Sequence, residues 1–355
     1  MSNLEKNPAE VVCADRDEPG APALVLACRD VPLGGPRAMT VRRSLPQRER
    51  SLIGAWCFVD HYGPDDVAET GGMVVPGHPH TGLQTVSWLF TGEIEHRDTT
   101  GAHALVRPGQ MNLMTAGSGI AHSEYSTPAT TMLHGVQLWT ALPEQHRFVE
   151  PRFEHYEPPV VEVDGARALV FLGTLFGQAS PVSTYSELVG AEITLPPGGS
   201  LDIDVDPAHE HGFLCDTGTI ASGEAVAKPG EIIFHPDGPS RLVLQASPTE
   251  PTRVLLIGGR PLGEQIVMWW NLVGRSHDEV VGFREDWQRE RAVFEQERQL
   301  AGEPAGAPAP AREGGDGGIP DGVSPPTPRY GAFPAVWETT LPAPGLPNIR
   351  LRSRG

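Results

Sequence analysis

Gly77-His78-Pro79-His80-Thr81-Gly82-Leu83-Gln84-Thr85-Val86 is answered, 42 residues after His80, by His122-Ser123-Glu124. Each stretch places two potential metal ligands at i and i+2. On a β-strand those positions point to the same face. Two such strands facing each other can bring three imidazoles and one carboxylate, from His78, His80, His122 and Glu124, to a single point. That donor set suits a first-row transition metal, with octahedral positions left for water, dioxygen or a chelating substrate.

The surroundings of both clusters read as β-structure. Short β-like runs fall at 24–28, 56–61, 85–90, 111–115 and 133–140. Gly63-Pro64, Pro108-Gly109 and Gly117-Ser118-Gly119 punctuate them, because Pro fixes φ and Gly accepts φ > 0. No long amphipathic pattern interrupts, so a sandwich or barrel is expected over 23–150. A second β-rich half, 151–300, has runs at 168–172, 191–195, 230–234, 242–245 and 254–257. It forms a weak repeat of the first. His-x-His recurs at His209/His211, and the Pro-Gly turn recurs at Pro229-Gly230. His-x-Glu does not recur, since Arg241, Leu242 and Val243 stand in its place. The second half should therefore lack a full metal site.

The remaining segments are of other kinds. Residues 1–22 are charged and Pro-containing and are expected to be loose. Ser276 and Glu279 form an S-x-x-E capping box that opens a helix through Phe283 and Trp287 to about residue 300. Residues 301–328 are rich in Ala, Pro and Gly and read as a flexible linker. The tail, 329–355, regains apolar residues such as Phe333, Trp337 and Leu341, and is expected to pack back in extended form.

Composition narrows the function. Glycine (41) and proline (36) are far above ordinary usage, which fits many turns between short strands. The net charge of −18 repels phosphate backbones and anionic lipid, so neither nucleic acid nor a membrane surface is an expected partner. Cys13, Cys28, Cys57 and Cys215 form no CxxC pair and read as reduced thiols in a cytoplasmic protein. The first residues lack an apolar signal core, and no stretch is apolar enough to span a membrane.

The run His78-Pro79-His80 followed by Gly82-Leu83-Gln84-Thr85-Val86, with Met114-Thr115-Ala116-Gly117-Ser118-Gly119-Ile120-Ala121-His122-Ser123-Glu124, resembles the pirin family of the cupin superfamily. Phe58-Val59-Asp60-His61 and Trp270-Asn271-Leu272-Val273 are similar to other family segments. The resemblance spans residues 31–294. It implies two tandem cupin barrels (jelly-roll, a bicupin) with metal, usually iron, in the first only. The ligands it implies are the four already named. The same donors accept Mn, Ni, Co, Cu or Zn. Gln84 stands where many relatives carry Glu. It offers no anionic ligand or base and is expected to hydrogen-bond a ligand or bound water.

Other candidates are weighed against blander roles. His96, His103 and His134 are expected to be solvated strand histidines rather than site residues. Cys57 is expected to be a buried, inert thiol. Trp88, Met111 and Met114 are expected in barrel core or, alternatively, in a wall of the metal pocket. His209/His211 reads as a relic of the first motif. The resemblance implies two functions. One is an oxidoreductase like quercetin 2,3-dioxygenase, a dioxygenase opening a flavonol ring with loss of carbon monoxide, with Glu124 as the possible base. The other is a metal- and redox-dependent regulator that docks a transcription factor or a metabolic enzyme. A monomer is expected, because the duplication already supplies a pair of barrels.

Overall fold

A computed structural model describes residues 5, 7–13, 21–33, 39–302 and 328–347. The architecture is all-β: two jelly-roll barrels, each a seven-stranded sheet facing a four-stranded one, followed by a helix and an extended tail. In the first barrel the large sheet runs in the order Arg152–Tyr156, Met111–Thr115, Leu83–Thr91, Met132–Ala141, Trp56–Asp66, Met39–Leu45, Arg29–Leu33. The small sheet runs Val74–His80, Ile120–Ser126, Ile94–Asp98, His103–Val106. The second barrel repeats the plan. Its Glu210–Thr217, Ile232–His235 and Leu24–Leu26 occupy the places of Leu83–Thr91, Met111–Thr115 and Arg152–Tyr156.

Two strands cross between the halves expected to divide at residue 150. Leu24–Leu26 pairs with Ile232–His235 and completes the second barrel. Arg152–Tyr156 pairs with Met111–Thr115 and completes the first. The expectation of a loose N-terminus fails for Val11–Cys13, which pairs with Ile266–Trp269 and buries Cys13 completely. Charged and proline neighbours hid these three apolar residues.

The barrels pack through their large sheets. Strand alternation sends Val86, Trp88, Met111, Val136 and Leu138 outward against Leu169, Phe171, Leu255 and Ile257 of the second barrel. Trp88 and Phe171 have ring centroids 4.7 Å apart. Trp88 Nε1 donates to Glu192 Oε2 at 2.8 Å. Trp88 and Met111 therefore belong to neither barrel's interior, nor to a wall of the metal pocket. Met114, of opposite parity to Met111, packs in the other core cluster with Leu83 and Trp139.

The helix spans His277–Gly302. Ser276 Oγ accepts the Glu279 N–H at 3.3 Å, as the capping box requires, while Glu279 Oε2 accepts the Arg275 N–H at 2.7 Å. The tail packs back as expected, with Tyr330 and Trp337 buried. The 301–328 linker lies outside the described residues except at its ends.

Candidate metal centre

One strand organises the site. Ile120–Ser126 lies between Val74–His80 and Ile94–Asp98 in the small sheet. On one side Ile120 pairs with His80 and His122 with His78, with a register shift between His122 and Glu124. On the other side His122 pairs with Asp98 and Glu124 with His96. Directly opposed residues of an antiparallel pair share a face. The ladder thus stacks His78, His80, His122, Glu124 and His96 on one side.

The three expected histidines converge. Ring centroids lie 4.3 Å apart for His78 and His122, 4.9 Å for His80 and His122, and 5.1 Å for His78 and His80. A ligand atom from each lies within 4.8 Å of the others. Glu124 joins through His122, in a second group with His96 of the same 4.8 Å span. Two atoms bound to one ion at about 2.1 Å lie at most about 4.2 Å apart, so small side-chain adjustments suffice for coordination.

The ring nitrogens are set for a cation. His78 Nδ1 lies 2.8 Å from the Pro76 carbonyl, which can only accept, so the proton sits on Nδ1 and the Nε2 lone pair is left over. His78 Nε2, His80 Nδ1 and Nε2, and His122 Nε2 are buried with no hydrogen-bond partner among the described residues. Burial lowers the His78 pKa to about 4 and drives His80 and His122 well below the ordinary value. All three are neutral imidazoles near pH 7, the form that ligates metal. Burial alone would push Glu124 up. Opposing electrostatic interactions outweigh it and keep the carboxyl below its usual range. Each orphaned buried polar atom costs about 1–3 kcal/mol. A divalent ion would satisfy several at once, so these residues fit one.

Several outcomes differ from the sequence reading. His96 is 2% exposed rather than solvated, with Nδ1 3.3 Å from His122 Nδ1 and Nε2 3.0 Å from Asp98 Oδ2. Its i, i+2 spacing to Asp98 was visible in the sequence, but the register that sets both against His122 was not. Gln84 does not join the histidines. It shares the parity of Val86 and Trp88, and its amide donates to Thr115 Oγ1 at 2.9 Å and to the Ser183 carbonyl of the second barrel at 3.3 Å. Ser87, of the opposite parity, faces inward instead. Its Oγ is 3.0 Å from Gln137 Oε1 and 3.5 Å from Glu124 Oε1, and its single proton serves one at a time.

The other histidines divide. His103 is exposed and pairs with Glu95 at 2.7 Å, as a surface residue would. His134 is buried instead of solvated. With His61 it points Nε2 at Asp216 Oδ1 of the second barrel, each at 2.7 Å. Asp216 Oδ2 takes Arg253 Nε at 2.6 Å. Arg253 already neutralises that carboxylate, so this cluster is a polar latch between the barrels rather than a second ion site. His209 and His211 form no ligand cluster among the described residues. They line a cavity of ≈ 780 Å³ in the second barrel with Glu187 and Arg260. Their register also corrects the repeat. His211 pairs with His235 as Thr85 pairs with Met114, so His209/His211 matches Leu83/Thr85, not His78/His80. The two Pro-Gly turns are equivalent. Cys57 is an inert thiol as expected, its pKa raised well above normal by burial.

Comparison with known proteins agrees with this arrangement. The Pirin family model matches residues 38–140, and the Pirin C-terminal cupin domain matches 190–293. A Pseudomonas aeruginosa protein named "Putative quercetin 2,3-dioxygenase" is 40% identical over 80% of this chain and 89% of its own length. A pirin-like protein of Caulobacter vibrioides is 33% identical over 71% of this chain and 88% of its own. The crystal structure of quercetin 2,3-dioxygenase from Acinetobacter baumannii superposes with a TM-score of 0.77 at 32% identity, covering 93% of this chain and 97% of that one. With both halves matched, in order, by the family's two domains, this chain belongs to the pirin family.

Proposed function

We propose that the protein is a metal-dependent dioxygenase of the quercetin 2,3-dioxygenase type, with His78, His80, His122 and Glu124 as ligands. The observation that carries this reading is the buried trio of neutral imidazoles with orphaned nitrogens beside a carboxylate. The similarity to proteins named quercetin 2,3-dioxygenase supports the substrate class, a flavonol or a related chelating aromatic. When bound, a divalent metal, iron(II) by preference, would act as a Lewis acid toward a chelated hydroxyl and carbonyl pair.

The chain's own residues define the rest. Pro76 holds the His78 ring in one tautomer. Glu124, kept anionic, can accept the substrate hydroxyl proton. Ser87 can donate to that carboxylate on its inward side when it is not bonded to Gln137 Oε1. The Phe58–Trp139 stack, with centroids 3.9 Å apart, and the edge contact of Trp139 on His80 close the barrel behind the trio and exclude water. Net reaction would put both atoms of dioxygen into the opened product as one ring carbon leaves as carbon monoxide.

The experiment is oxygen uptake and carbon monoxide release by protein loaded with iron(II) and given quercetin. His122→Ala should abolish both. Undiminished turnover in that variant overturns the mechanism. One observation favours a second reading, that of a metal-dependent protein docking a partner: the trio is at most 1% exposed. Under that reading the loaded wild-type chain releases no carbon monoxide from any flavonol.

A further inference from the structure

We infer that the C-terminal segment 328–347 is a strap that positions the metal ligands, an inference that rests on the metal reading above. The strap lies beyond both segments matched to the family. It touches the chain on either side of the ligands. Leu341 N–H donates to the Gly77 carbonyl at 2.8 Å, one residue before His78, and Gly77 and Thr340 form a parallel β-bridge. The Trp337 ring fills the space beside Gly77, where a Cβ would meet its carbons at 2.5 Å. One residue after His80, Thr81 Oγ1 donates to Tyr330 Oη at 3.3 Å, and that hydroxyl donates onward to the Phe283 carbonyl at 2.9 Å.

The same strap grips the other ligand loop. Arg329 Nη1 donates to the Ser118 carbonyl at 2.8 Å, and Arg329 packs where a Cβ on Gly119 would stand, 2.6 Å from its side chain. Gly119, at φ +154°, admits that close approach because it has no side chain. The helix holds the strap from behind. Trp287 Nε1 donates to the Leu341 carbonyl at 2.8 Å, and Glu290 accepts the N–H groups of Arg329 and Tyr330 at 2.7 and 2.9 Å. One segment thus fixes the entry to His78, the exit from His80 and the approach to His122. Ligand geometry that is loose by 1 Å is costly for a metal site, and rigid support limits that error.

The test is cobalt(II) titration of full-length, metal-stripped protein, followed by equilibrium affinity and by the visible d–d spectrum. Trp337→Ala should weaken cobalt about tenfold and shift the spectrum. Arg329→Met, which keeps the aliphatic packing on Gly119 and loses the Ser118 bond, should weaken it about threefold. Leu201→Ala opens a cavity in the core of the second barrel, where no strap residue packs, and should leave both readouts within about twofold of wild type. Unchanged affinity and spectrum in Trp337→Ala and Arg329→Met overturn the strap while leaving the metal site standing. Equal losses in Leu201→Ala also overturn it, because they mark general destabilisation. Absence of cobalt binding by the wild-type chain overturns the metal reading, and the strap with it.

Discussion

The Pro76 carbonyl accepts the Nδ1 proton of His78 at 2.8 Å, and that single bond decides which nitrogen of the ring is offered to an ion. His78→Asn shortens the side chain and removes both the bond and the donor. Metal content measured by elemental analysis should fall from near one equivalent to a trace. Retention of wild-type metal content would show that His78 is not a ligand.

Removing the metal should destabilise the fold, because an ion that binds only the native state adds stability by mass action. At one hundred times its dissociation constant, a ligand contributes about 2.7 kcal/mol. Thermal denaturation should therefore show a lower midpoint after chelation. The midpoint should return on titration with iron(II), manganese, nickel or cobalt and stay low in His122→Ala whatever is added.

Gln84→Glu would put an anionic group where the family resemblance leads one to expect it, yet it should not improve the site. The amide it replaces donates to Thr115 and to the Ser183 carbonyl, on the face of the sheet turned toward the second barrel. A carboxylate set against that carbonyl loses the bond and adds repulsion. We expect about 1–3 kcal/mol less stability in urea unfolding and unchanged metal affinity. Markedly tighter metal would show that Gln84 reaches the ligands.

Asp216→Ala should open the latch between the barrels. It leaves Arg253, His61 and His134 without their shared acceptor, a loss of about 3–5 kcal/mol for a buried charge network. Denaturant unfolding followed by tryptophan emission should report it, since Trp88 lies at the same interface. A cost below about 1 kcal/mol would mean that the apolar contact alone joins the halves.

Acid sensitivity should come in part from the second barrel. Burial lowers both His211 and His235 from 6.5 to about 4. The unfolded chain then binds more protons than the native one between those values. Their contribution is complete above pH 6.5 and is lost as pH falls toward 4, up to about 3 kcal/mol per ring. His211→Asn and His235→Asn should each flatten the fall in unfolding free energy measured between pH 7 and 4.5. A slope unchanged in both variants would assign the acid loss elsewhere.

The β-rich halves, the helix and the metal motif were legible because each leaves a local mark. Residues 111–115 read as a short β-like run between turn residues and form a strand, and Ser276 with Glu279 marked the helix start. His78, His80 and His122 were legible because i, i+2 spacing survives translation into any strand. What sequence could not show was register across the sheet. His96 became a neighbour of His122 only through the pairing of Glu124 with His96. The parity of Gln84 was equally hidden, because a strand's two faces exchange roles if its first residue moves by one. Val11–Cys13 was missed because three apolar residues among charges fall below any periodic signal.

The exchanged strands at 24–26 and 152–156 make the two barrels mutually dependent. Severing the polypeptide at residue 150 would strip Met111–Thr115 of its outer neighbour, and an amino-terminal fragment would present that bare ladder to any other chain. Neither lobe is thus an inheritable module on its own. A gene fusion or a split-protein design would have to cut elsewhere or keep both pieces in one pot, because each lobe lends the other its hem.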